Sequence, residues 1–67
     1  MSGIYKYNTT IDIPFGKLAE MIEWCSGHCE NDWRFAVLAD ASRYEAGTYI
    51  FLFESEKDYF TFLVWKQ

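Results

Sequence analysis

The sequence predicts a small α+β domain with its elements in the order β-α-β-β-α. Three observations lead there. Residues 4–13 alternate polar and apolar side chains with a period of two, Leu18, Met21, Ile22 and Cys25 recur at helical spacing, and Thr48–Phe53 is apolar on both faces before a capped aromatic segment. A strand apolar on both faces belongs in the middle of a sheet, which makes the third strand central.

The first strand, Ile4–Ile13, sets Tyr5, Tyr7, Thr9, Ile11 and Ile13 on one side and Lys6, Asn8, Thr10 and Asp12 on the other. Pro14 and Gly16 end it. An amphipathic helix is expected over residues 15–26, with Lys17, Glu20 and Glu23 outside its apolar stripe and Gly27 placed to stop it in a left-handed C-terminal position. The second strand is Trp33–Leu38, with Trp33, Phe35 and Val37 on one face, and Asp40–Gly47 reads as a turn or loop. Ser55-Glu-Lys-Asp58 then opens the last helix, Ser55 as cap and Asp58 at the third position, close to a capping box; the helix runs to about Trp65. With β3 central, the simplest sheet order is 1-3-2 with both helices on one face, a ferredoxin-like βαββαβ fold lacking its last strand. Residues 1–67 are expected to form this single domain.

A chain of 67 residues buries only roughly 60% of its unfolded surface, so its core needs reinforcement. Six Phe, five Tyr and three Trp supply it and argue against disorder. The net charge of −4 weighs against non-specific nucleic-acid binding, and the six bases are scattered along the chain. The N-terminus lacks a basic region followed by an apolar run, and no apolar stretch approaches the ~20 residues of a membrane span. A cytoplasmic protein is therefore expected, with no membrane partner.

Cys25-Ser-Gly-His28-Cys29 is the one reactive cluster. Cys25, His28 and Cys29 would supply three of four tetrahedral zinc ligands, leaving an acid such as Asp32 for the fourth. The two cysteines, four apart, lack the Cys-x-x-Cys spacing of redox pairs, and a continuous helix bridges them poorly. The favoured reading makes Cys25 a small core residue and places His28 and Cys29 at the helix exit, with no cofactor. No phosphate loop, nucleophile elbow or His/acid pair is present, so an enzyme is not expected.

RNA-recognition domains share this element order and stack bases on aromatics of β1 and β3. Tyr5, Tyr7, Tyr49 and Phe51 stand at the corresponding places, but the Lys/Arg-Gly opening of the third-strand motif and the fourth strand are missing. The same rings serve as partner-surface candidates in protein association, which is favoured. In a three-stranded sheet β1 is an edge open to pairing, and one apolar row of β3 must point to a face without helices. The expected partner is a second copy, giving a homodimer, or a host protein; nucleic acid is the alternative.

Glu23-Trp24-Cys25, Trp33, Tyr49-Ile-Phe-Leu-Phe53-Glu54, Glu56-Lys57-Asp58 and Phe62-x-x-Trp65 follow one another over about residues 20–66. This arrangement resembles small uncharacterised proteins of large tailed bacteriophages, including cyanophages. Tyr59-Phe60 departs from the pattern, being bulkier than the small residue expected after Asp58, which puts the packing of the last helix in doubt. The resemblance implies a protein made in the host cytoplasm during infection, and it carries no activity or functional residue over.

Overall fold

The computed structural model describes residues 5–66. Its elements are β1 (Tyr7–Ile13), α1 (Leu18–His28), β2 (Trp33–Ala39), β3 (Gly47–Phe53) and α2 (Glu56–Lys66). The sheet order is β1-β3-β2 with both neighbouring pairs antiparallel, so the central strand and the small α+β fold are as expected. The expected start of the first strand at Ile4 lies outside the described residues.

Register assigns the two faces. Residues directly opposite in an antiparallel pair share a face, and Tyr7, Thr9, Ile11 and Ile13 oppose Phe53, Phe51, Tyr49 and Gly47. On that face Phe51 and Phe53 are fully buried, because Phe62 of α2 packs its ring 5.0 Å from Phe51 and 5.1 Å from Phe53. Cys25 of α1 joins the same core, with Leu18, Met21 and Trp24 around it, so both helices lie on this side. Trp24 stacks on Trp65 at 4.8 Å between ring centroids, closing the helix–helix seam. Offset ring pairs of this kind add ~0.5–1.5 kcal/mol each beyond the area they bury.

The helix ends depart from their expected signals. Gly16, at φ +90°, takes the left-handed conformation in the Phe15-Gly16 turn, and α1 starts only after it. Gly27 does not stop α1. The helix runs through it to His28, and Cys29 then turns extended while its amide still donates to the Cys25 carbonyl at 3.0 Å.

What fixes this end is Asp58. Its carboxylate, 3% exposed, accepts the Glu30 amide on both oxygens (3.2 Å each) and the Asn31 amide on Oδ2 (2.9 Å). Ser55 Oγ accepts the Asp58 amide at 3.5 Å, so the cap side of the box is in place. The Asp58 side chain serves a distant loop instead of the local box. With the α2 start tied to the α1 exit and Trp24 on Trp65, the two helices run antiparallel.

Two substitutions test these points by urea denaturation. Asp58→Ala strands two part-buried amides and is expected to cost about 2–4 kcal/mol, against about 0.5–1 for Ser55→Ala. Equal losses would refute the loop-anchoring role. Gly47→Ala would set a Cβ 2.6 Å from the Ala41 amide nitrogen and 2.8 Å from the Ala39 carbonyl oxygen. Both are backbone atoms, so a loss of roughly 1–3 kcal/mol is expected, and a neutral result would show that the β2–β3 connection yields freely.

Candidate interaction surface

The face opposite the helices is built by the other row of each strand. Asn8, Leu52 and Arg34 form one line across the sheet, Thr10, Ile50 and Ala36 the next, and Asp12, Thr48 and Ala39 the third. No described helix lies over this face, as both helices pack on the other side. Ile50 and Leu52 are only half-buried, and the β1 and β2 residues beside them are exposed apart from half-buried Thr48 on β3 itself. The face is thus apolar at its middle, with polar β1 on one flank.

The two charged residues of these paired rows, Arg34 and Asp12, stand at diagonally opposite corners. Arg34 donates from Nε to the Tyr5 hydroxyl at 2.8 Å, and that hydroxyl donates to Asp32 Oδ2 at 2.6 Å. The hydrogen bond to Tyr5, then the nearby Asp32 charge, favours the charged guanidinium and raises its already high pKa. At the far corner Asp12 Oδ1 accepts the Thr48 hydroxyl at 3.0 Å.

The expected aromatic surface is corrected by this geometry. Phe51 is fully buried and Tyr49 nearly so, both under the helices, so neither presents a ring to a base or a protein. Tyr7 lies on the same covered face, half-buried with its ring 5.8 Å from that of Tyr59. Only Tyr5 reaches toward the open side, through its bonds to Asp32 and Arg34. Base stacking therefore has no aromatic platform on the strands of the open face.

Sequence reasoning singled out β1 as the edge and missed β2. Phe35 and Val37 point to the helix side, yet they stay exposed because α2 and its ring contacts sit over β1 and β3. A bulge between Val37 and Ala39 inserts Leu38, also exposed. Such a bulge shortens the ladder that an edge strand offers to another chain. The apolar side chains of α2 divide as well. Tyr59, Phe62 and Leu63 pack inward, whereas Phe60 and Val64 face out.

The Cys/His cluster is held apart from chemistry. His28 stacks on Trp24 at 4.6 Å with Nδ1 3.0 Å from the Trp24 carbonyl oxygen, while Cys25 is buried in the core. Among the described residues, no three His, Cys, Asp or Glu side chains converge to hold a metal ion. Burial, then the neighbouring Cys29, pushes the Cys25 thiol up from 9.0 to about 12, and burial also raises Cys29. Neither is a nucleophilic thiolate at neutral pH.

No family model matches the chain, and no curated protein or solved structure matches it significantly. Among the described residues no helix is long and apolar enough to cross a membrane.

Cys25 makes two checks available. At neutral pH iodoacetamide should modify half-buried Cys29 before Cys25; preferential labelling of Cys25 in the folded protein would contradict its burial. The folded pKa of Cys25 lies above its unfolded value, so its contribution to stability is complete below pH 9 and is lost as pH rises toward about 12. The urea midpoint should accordingly fall less steeply over that range in Cys25→Ala than in the parent, and parallel slopes would refute the assignment.

Proposed function

We propose that this chain is a small, non-enzymatic accessory protein of the phage type that works in the cytoplasm by binding protein, either itself or a host component. The observation that carries the reading is the two-sidedness of the sheet. One side is closed by aromatic packing of both helices, whereas the other keeps Ile50, Leu52 and Ala36 without a helical cover. A contiguous apolar centre with charged and polar margins is the usual anatomy of a protein-binding patch. The buried, protonated thiol of Cys25 and the engagement of His28 with Trp24 add support for a binding role over a catalytic one.

Ala36 offers a test that spares the core, since it is exposed beside Ile50. Ala36→Lys should keep the thermal midpoint within a few degrees. Affinity capture from producing cells, run with both proteins, should retain a defined partner on the parent and lose it on the variant. Identical capture by both would move binding off this face. No capture by either, with both strictly monomeric in sedimentation, would reject the reading.

A further inference from the structure

Resting on that reading, we infer that the occupant of the open face is a second copy of this chain, docked face to face with Arg34 of each copy over Asp12 of the other. Arg34 and Asp12 are the two charged residues within the paired rows of this face, and Asp32 lies beside Arg34 behind the shared Tyr5 hydroxyl. Arg34 lies in the line of Leu52 on β2, and Asp12 lies in the line of Thr48 on β1, with Ile50 of β3 midway between them. Two strand spacings and four residues of strand rise put the corners roughly 17 Å apart. Both residues are exposed.

Two copies packed face to face are related by a two-fold axis lying between the sheets. If that axis passes over Ile50, four orientations bring rows and corners into register. With the axis along the strands, Arg34 falls over Asn8. With the axis across the strands, it falls over Ala39. With the axis along the Arg34–Asp12 diagonal, each charge meets its own like charge, an arrangement that repulsion disfavours. Only the axis perpendicular to that diagonal sets Arg34 over the second copy's Asp12, twice by symmetry. The same operation stacks Ile50 on the second copy's Ile50 and lays Leu52 over the methyl of the second copy's Thr10. The strands then cross steeply, toward the orthogonal class of sheet packing.

The partners are chemically suited to this role. Arg34 commits only Nε, to Tyr5, and among the described residues no hydrogen bond engages its terminal nitrogens. Asp12 commits one oxygen, to Thr48. Arg paired with a carboxylate can form a two-pronged contact at the ~10 Å separation of packed sheets. The face is small, about 14 Å across three strands and seven residues long. The dimer therefore falls in the weak class of interfaces, with a dissociation constant in the micromolar range, and responds strongly to its marginal charges.

A charge-exchange experiment by analytical ultracentrifugation decides the matter. Arg34→Glu and Asp12→Arg are each expected to weaken self-association at least tenfold, since each alone creates two like-charge contacts. Mixed in equal amounts, they should form a heterodimer within about threefold of the parent affinity, because one pair is then kept as in the parent and the other is restored with reversed sign. Thermal melts check that each variant is folded, and the double variant Asp12→Arg/Arg34→Glu supplies a second reading: it should dimerise with itself. Parent-like association by the single variants would overturn the arrangement and move self-association elsewhere, such as the β2 edge. Failure of the mixture and the double variant to associate would also overturn it. A parent chain that stays monomeric at high micromolar concentration rejects the second copy as occupant, while partner capture lost in Ala36→Lys would still uphold protein binding at this face.

Discussion

The buried carboxylate of Asp58 holds the arrangement of the helix layer. By accepting the amides of Glu30 and Asn31 it ties the first turn of α2 to the segment leaving α1. Once those ends are joined, the helices lie side by side, and Trp24 in the second half of α1 meets Trp65 near the end of α2. Phe62 is then delivered onto Phe51 and Phe53. A charged group taken out of water is tolerable only when its acceptor capacity is met, and here two backbone donors meet it. By contrast, the exposed ion pairs Lys17–Glu20 and Lys57–Glu30, at 3.8 and 3.6 Å, add little.

The same anchoring decides what remains uncovered. A layer of two short helices cannot span three strands on one side and also reach the other. α2 settles over β1 and β3, so β2 keeps Phe35 and Val37 in solvent, and with both helices on one side the reverse of the sheet keeps Ile50 and Leu52 unroofed. The surface is a geometric consequence of a core built on one side of β3. Its charged corners, Arg34 and Asp12, sit on different strands and come into a common plane only through the strand order.

Much of the fold was legible in the chain. The alternation of β1, the helical spacing of α1 and the doubly apolar β3 are local patterns, and each element formed within a few residues of its expected bounds. Which row of β3 faces the helices was not legible, because Tyr49, Phe51 and Phe53 are as apolar as Ile50 and Leu52 and periodicity cannot rank them. That ambiguity placed Tyr49 and Phe51 on the wrong side. The larger volume of the aromatic row, which fills a helix-covered core better, was the available signal. Asp58 was misread for a different reason: a capping box is a local motif, whereas its partners lie nearly thirty residues earlier in the chain. Gly27 misled in the same way, since a tertiary contact overrode a local stop signal.

The strand order also bears on how the chain comes to be folded. The β2–β3 hairpin joins neighbours in sequence, but β1 pairs with β3, so Tyr7 waits for Phe53 before its backbone is satisfied. During synthesis, at roughly 5–20 residues per second, the first strand spends seconds without its partner. Closing so long a loop costs entropy before any contact repays it, and such non-local pairing slows folding relative to a helical bundle of equal size. The polar row of β1, with Asn8, Thr10 and Asp12 on the side away from the core, keeps that waiting strand soluble.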